Sequence, residues 1–598
     1  LGGYMVESNM GHIGDVFDPK AGEDPTIYGW RAAAESGRFS KFVAAQVYGE
    51  PPHHAYVWGG SGGARRSPLC LQYAPDVWDA AMPFMGDAHV DEHGKFRLLR
   101  GGGANFSAMF NVQRLLGARL ANVVDAMSPG GSGNPFDGLT THEREELANL
   151  YRLGYPRGDE WVIGNPSGTI WLWCSMALRL QREDPEYFRD FWSKPGYIGH
   201  DSPQYVLGDL IDRKATIKRV LTARDFSTDP MFEDPAFAKL RPSAMMLAGT
   251  RGLDLPIAIE IEGLQGYRQG MGVRIEAGPA AGRQLYCMYS AKDILLCDGA
   301  AEASNLRFTD VQAGDEVYLD NRAYLAYCYY YRHHVMDWEE WQFLRLDGVD
   351  IYDQNEQPTM SPFMSVPYSG QYEGKLMWIH HTHDASLWPP QGIAYRNAVA
   401  NAQGADGLAN KFRLRWTENA EHVPGEFVPS QPGRHSSTTL IDYRPHIEQG
   451  LLDMTKWVEQ GIAPDGSQFT YQDGRITLPD TAAERGGIQP VVCVSANGSL
   501  RAEVKVGEPV TLEVHAECPP GKGTIVSAQW DFDGSGAYPF THPEVDGSSP
   551  EVRLSTTHTW DTPGTWFATA LVHSHVDGDI NATSRRLPNL ASVRIVVS

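Results

Sequence analysis

Ser61 sits between two pairs of glycines, Gly59-Gly60-Ser61-Gly62-Gly63, a match to G-x-S-x-G. A serine hydroxyl is a poor nucleophile at neutral pH until a histidine takes its proton and a carboxylate holds that histidine. Further along lie Asp384, in GKLMWIHHTHDASLWPPQG, and His422, in NKFRLRWTENAEHVPGE. The chain order Ser, Asp, His is one that such triads use. The chemistry would be acyl transfer: Ser61 attacks a carbonyl, His422 takes the proton, Asp384 orients the imidazole, and the N–H of Gly62 faces the developing oxyanion. The plain alternative is a flexible glycine loop with an incidental serine. Asp442, His435 and His446 are the fallback partners.

A nucleophile of this kind needs a sharp strand-to-helix turn, and the flanking sequence supplies one. HHAYVWGG reads as a buried strand, ARRSPLCLQYAPDVW starts like a helix, and VWDAAMPFMGD reads as the next strand. Upstream, GGYMVESNMGHIGD reads as a strand entering a glycine-rich loop, and IYGWRAAAESGRFSKFVAAQVYG as a long amphipathic helix. Strand alternating with helix implies an α/β fold with a parallel sheet. KLMWI and KFRLRW are the later strands, with Asp384 and His422 in the loops that follow them. The run His380-His381-Thr382-His383 is read as structural rather than as a metal cluster, because adjacent strand residues point to opposite faces.

At 598 residues the chain is too long for one compact unit, so two to four domains are expected. Its 42% hydrophobic and 21% charged content allows a large core. A net charge of −23 argues against nucleic acid or an anionic membrane surface as partner. No apolar stretch is long enough for a transmembrane helix. The opening LGGYMVESNMGHIGD has no basic leader and reads as mid-domain, or as the start of a processed or incomplete chain. None of the seven cysteines forms a CxxC pair, which argues against a zinc ribbon or a thioredoxin motif.

With these pieces in order, the chain resembles the tannase and feruloyl esterase family of α/β-hydrolases. GYMVESNMGHIG is similar to that family's strand and Gly-His loop. IYGWRAAAESGRFSKFVAAQVYGEPPHHAYVWGGSGGARRS is similar to its helix and nucleophile elbow, and LLDMTKWVEQGIAPDG to its closing helix. The resemblance covers roughly residues 1–85 and 370–470. It implies Ser61 as nucleophile, Asp384 as orienting acid, His422 as base and Gly62 as oxyanion donor. The family's paired cysteines before the nucleophile and the histidine are replaced by Gly60 and Glu421, so that staple is absent. Its lid calcium loop is not evident. Its second oxyanion loop normally precedes the strand at which this chain begins.

The expected architecture is an α/β-hydrolase sheet in two parts, residues 1–85 and 366–487, with a large inserted lid of mixed helices and short strands at 86–365. An all-β, immunoglobulin-like sandwich follows at 488–598. In the lid, THEREELANLYRLG and SGTIWLWCSMALRLQRED read as helices, and PIAIEIEG, GVRIEAG, RQLYCMYS and DEVYLDNRAYLAYCYYYRHHVMDW as short strands. Tyr329 to Tyr331, with His333 and His334, either line a cleft or end a buried aromatic strand. The tail resembles a polycystic-kidney-disease (PKD) type module through its Trp-Asp-Phe, Thr-His-Thr-Trp and Pro-Gly-Thr signatures, with Trp530 in its core. Cys493 and Cys518 are placed to pair. No cofactor is expected; at Asp531 and Asp533 turn capping is preferred over a structural calcium site.

The reading is an exported serine esterase (secreted, periplasmic or at the cell surface) acting on a small-molecule or polymeric ester. Its rivals are a degenerate hydrolase that only binds, and an amidase or peptidase using the same triad. The sandwich is expected to be a separate unit, so that a chain ending near Gly487 would hydrolyse a small ester at close to the full rate.

Overall fold

The computed structural model describes residues 3–8, 24, 26–87, 104–165, 176–234, 237, 240, 244, 252–264, 268–297, 308–356, 366 and 368–598. Its α/β core is a four-stranded sheet, all parallel: β1 (Tyr56–Gly60), β2 (Ala80–Phe84), β3 (Lys375–His381) and β4 (Phe412–Thr417), side by side in that order. Helix α1 (Ala32–Tyr48) precedes β1, and α2 (Gly62–Tyr73) joins β1 to β2. Helix α3 (Pro390–Lys411) joins β3 to β4, and α4 (Arg444–Gln460) follows β4.

The register decides where the loops emerge. Gly60 pairs with Phe84, Phe84 with Ile379, and His381 with Thr417. All four strands therefore end along one edge, and the segments leaving them carry Ser61, Met85, Asp384 and His422.

Side chains alternate across the sheet, as the strand period requires. Ala81, Leu376 and Trp378 pack to one side with Leu69, Tyr395 and Val399 of α2 and α3. Ala80, Met82, Met377 and Ile379 pack to the other with Ile447, Met454 and Trp457 of α4. The buried stripe of α1 is made of small residues, Ala34, Gly37 and Ala44. Its large apolar residues Phe39, Phe42 and Val47 are exposed, so α1 is not the inward-facing amphipathic helix that its pattern suggests. Gly3–Ser8 is irregular rather than a strand, and the rest of the expected N-terminal strand and loop lies outside the described residues.

Within the insertion, helices Ala104–Leu116, Thr141–Arg152 and Pro185–Ser193 come first. Six antiparallel strands between Asp212 and Asp320 then close into a barrel. The stretch from Asp315 to Trp338 keeps only one strand, Glu316–Asp320; it then turns helical at Arg322–Tyr327 and Tyr330–His333. Tyr329, Tyr330 and Tyr331 are wholly buried there. Their hydroxyls bond His142, Asp184 and Glu146, so the run is an interior hydrogen-bonded cluster rather than a cleft wall or a strand end.

The C-terminal region is all-β, a three-stranded sheet facing a five-stranded one, with Trp530 fully buried between them. Asp531 caps a turn: its two oxygens accept from the backbone N–H groups of Asp533, Gly534, Gly536 and Ala537. Cys493 is exposed and Cys518 buried, and the two are not joined, which corrects the expected disulfide.

This region has its own core and also packs against the rest of the chain. Leu571 and Leu590 enter the same apolar cluster as Met82, Ile379, Ile441 and Tyr443, completing one face of the parallel sheet. Arg594 bonds the backbone of Asp125 and Pro129 in the insertion and pairs with the Asp125 carboxylate at 2.9 Å.

Candidate active site

Ser61 occupies the sharp turn between β1 and α2. Its backbone is left-handed, with φ 54° and ψ −117°, a conformation disfavoured for a residue with a Cβ. Its N–H reaches the carbonyls of Phe84 and Met85 at 3.3 and 3.2 Å, which pins the turn to the end of β2. Two of the glycines are required by close approach. A Cβ at Gly59 would lie 2.9 Å from Gly63 Cα, and one at Gly60 would lie 2.5 Å from the Met85 and Phe84 side chains. Gly62 and Gly63 have room. Gly62 opens α2, where a backbone N–H has no acceptor within the helix and stays available to an anion.

Asp384 and His422 meet. His422 Nδ1 lies 3.1 and 3.2 Å from the two Asp384 oxygens, in a site where both residues are buried. Asp384 Oδ1 also accepts from the N–H groups of Ser386 and Leu387 at 3.0 and 2.7 Å, so its loop is wound around the carboxylate. With Nδ1 donating to Asp384, Nε2 is the free basic nitrogen. Burial pushes the His422 pKa down, but the Asp384 charge and hydrogen bond outweigh it and leave it raised. Burial likewise opposes ionisation of Asp384, and His422 reverses that. The Ser61 hydroxyl and His422 are not hydrogen-bonded to each other among the described contacts. Tyr443 spans the two loop ends: its hydroxyl donates to the His422 carbonyl at 3.1 Å and lies 3.6 Å from Sδ of Met85, whose carbonyl accepts from the Ser61 N–H.

The three histidines beside Asp384 each bond a group other than His422. His380 receives the Trp378 indole N–H and bonds the Leu387 carbonyl; His381 bonds the Glu421 carbonyl; His383 bonds Thr382 Oγ1. The three rings thus take separate partners and do not converge. The fallback residues lie elsewhere: Asp442 pairs with Arg444, His435 caps the turn Ser436–Thr438, and His446 is buried in α4.

Sequence reasoning passed over the surrounding carboxylates. Asp87 is locked to Arg65, with Nε to Oδ1 at 3.1 Å, and its charge also raises the His422 pKa. Glu421 is fully buried beside the base; one oxygen accepts from the Val423 N–H at 3.0 Å and the other has no partner among the described residues. Burial, and then the Asp384 charge, push its pKa up to about 7. From the insertion, the Tyr155 ring packs edge-on against Trp388 at 5.4 Å, and the Trp161 indole N–H donates to the Pro429 carbonyl. The helical part of the insertion thus rests on the loops that follow Asp384 and His422. A cleft of about 570 Å³ lined by Phe136, Arg144, Glu145 and Arg152 lies within the insertion and includes none of the three site residues.

The Glu421 shift fixes a pH dependence. Between the ordinary 4.5 and about 7 the folded chain holds a proton that the unfolded chain releases, so stability falls as pH rises through that window. Glu421→Gln keeps an acceptor for Val423 and removes the charge. It is expected to raise the melting temperature at pH 8 by several degrees and to leave it unchanged near pH 4. Equal melting of the two proteins at pH 8 would show that Glu421 is not held protonated.

A parallel sheet with a serine elbow, an acid loop and a histidine loop along one strand edge is an α/β-hydrolase-like arrangement. Residues 292–487 match the family model described as tannase and feruloyl esterase, so the resemblance to that family is carried by this part of the chain. The match holds Asp384 and His422, begins inside the barrel rather than at the N-terminal elbow, and excludes Ser61. Among solved structures, an esterase from Aspergillus oryzae is similar at 15% identity, over 77% of this chain and 71% of that one, with a TM-score of 0.25. A tannin acyl hydrolase from Aspergillus niger is similar at 13% identity, over 76% and 70%, with a TM-score of 0.26. A PKD domain of an M14-like peptidase from the Thermoplasmatales archaeon SCGC AB-540-F20 is similar at 13% identity, over 19% of this chain and 98% of that domain, with a TM-score of 0.14. A search of curated proteins finds no match. The family match supports an ester hydrolase.

Proposed function

We propose that the protein is an exported serine esterase that works through an acyl-enzyme on Ser61, His422 and Asp384. The observation that carries this reading is the Asp384–His422 hydrogen bond at the strand edge where Ser61 occupies a left-handed elbow. Ser61 Oγ attacks the ester carbonyl as His422 Nε2 takes its proton. The new bond is Oγ to carbonyl carbon, and the charge passes to the carbonyl oxygen, which the Gly62 N–H stabilises. Collapse breaks the bond to the alcohol oxygen, and His422 returns the proton to the departing alcohol. Water then attacks the acyl carbon with His422 again as base, which frees the acid and restores Ser61. Asp384 holds the imidazole tautomer and stabilises the imidazolium.

A fluorophosphonate probe and a panel of matched esters and amides test the proposal. Labelling of Ser61, ester turnover well above amide turnover, and a kcat/KM that rises through a single ionisation above the ordinary histidine value of about 6.5 are expected. A folded chain that neither labels nor hydrolyses any ester in the panel is instead a binding protein. Preference for amides reassigns it as an amidase.

A further inference from the structure

The turn that carries His422 has its polar groups taken up largely by the C-terminal sandwich and the segment leading into it. The Glu418 N–H donates to Gln489 Oε1 at 2.7 Å, and Gln489 Nε2 donates back to the Glu418 carbonyl at 3.1 Å. The Asn419 side-chain amide donates to Asn589 Oδ1 at 2.8 Å and to the Leu590 carbonyl at 3.0 Å. Asn589 Nδ2 in turn donates to Glu418 Oε2 at 3.1 Å. Asn589 is wholly buried and lies in the strand Leu587–Val597, paired along its length to the neighbouring strand Gly564–His575. On its other side the turn is tied to the parallel sheet, where the Asn419 N–H donates to Thr382 Oγ1 at 3.1 Å.

A sandwich that merely packed on the core would need only the apolar contact through Leu571 and Leu590. Here two buried amides are spent on one turn, and it is the turn leading to the base. A loop by itself is a soft support, whereas a base must be held to within about half an ångström of its working position. We propose that the C-terminal sandwich is a working part of the active site, and that Asn589, assisted by Gln489, is a positioning residue that fixes the turn bearing His422. The inference rests on the triad reading given above.

Two variants test it. Asn419 already has a left-handed backbone, φ 57°, so Asn419→Gly keeps the turn's conformation and removes only the two side-chain bonds to the sandwich. Asn589→Ala removes the opposite side of the grip. Each is expected to lower kcat about 10- to 100-fold while KM stays within about twofold. The second readout is the titration of His422 followed by NMR on protein carrying ¹⁵N-histidine, which needs no turnover. His422 is faced by the carboxylates of Asp384, Glu421 and Asp87 and by His380 and His381, both of whose pKa values burial lowers. Loosening its contact with Asp384 moves the titration down toward the ordinary histidine value and shifts the acid limb of kcat/KM with it. Folded Asn419→Gly and Asn589→Ala proteins that keep the parental kcat and the parental His422 titration overturn the proposal. Labelling of the parent by the fluorophosphonate reports on the triad reading alone, while the variant-to-parent comparison of the His422 titration reports on the grip.

Discussion

Ser61→Ala is expected to lower ester turnover by roughly 10⁴-fold or more while leaving the fold and the melting temperature in place. The size of the loss follows from how the three residues work. Without Oγ there is no acyl-enzyme, and His422 and Asp384 have no proton to move. What survives is the weak catalysis that binding and the Gly62 N–H give to direct attack by water. The absence of a stability effect follows from the geometry. Alanine meets the same left-handed backbone, φ 54°, that serine already occupies, and the N–H bonds to Phe84 and Met85 do not involve the side chain. Turnover of a soluble ester, labelling by a fluorophosphonate and a thermal melt decide the matter on one preparation. Undiminished turnover in a pure, folded Ser61→Ala protein would remove Ser61 from the chemistry. A large fall in melting temperature would mean that the hydroxyl is structural.

The placing of the candidate residues at the strand ends was largely legible because it is written locally. Each parallel strand is a short apolar run, and the residue that matters follows the run within a few positions: Ser61 after YVWGG, Asp384 after LMWIHH, His422 after FRLRWT. The register then brings the loops together without further information. Within the elbow, Gly59 and Gly60 are forced by contact while Gly62 and Gly63 have room, a difference that the sequence pattern alone does not carry. The aromatic run was misjudged because alternation in EVYLD continues into RAYLAY, and periodicity cannot tell a strand from a helical turn over so short a stretch. Glu421 left no local signal, because its raised pKa comes from burial and from Asp384, which strand pairing brings beside it. Asn589 left none either. In RRLPNLASVRIVV it reads as a polar residue near a strand start, and only tertiary packing places it on Asn419.

The same packing reverses what composition alone suggested about the tail. A chain ending near Gly487 is expected to be insoluble or, where soluble, to hydrolyse a small ester at least about 100-fold more slowly than the full chain. Two losses add. The first is in stability: Leu571 and Leu590 leave the cluster that also holds Met82, Ile379, Ile441, Tyr443 and Ile447, uncovering part of one face of the parallel sheet. Each large apolar side chain returned to water costs about 1.5–3 kcal/mol, so a few of them rival the roughly 5–15 kcal/mol that holds a typical domain folded. The second is in the site: Glu418 and Asn419 lose Gln489, Asn589 and Leu590 together, and the turn leading to His422 keeps its tie to Thr382, the Ile441 N–H on the Asn419 carbonyl and the Arg485 pair on the Glu418 carboxylate. The substrate must be small and soluble, so that loss of a polymer-binding surface cannot be mistaken for loss of chemistry. Solubility, a thermal melt and kcat with KM on that ester, measured beside the full chain, separate the two losses. A lower melting temperature with normal kcat isolates the first, and a folded protein with depressed kcat isolates the second. A soluble truncated chain that melts and turns over within about twofold of the full protein would mean that the sandwich is a passenger, whatever its hydrogen bonds to the turn.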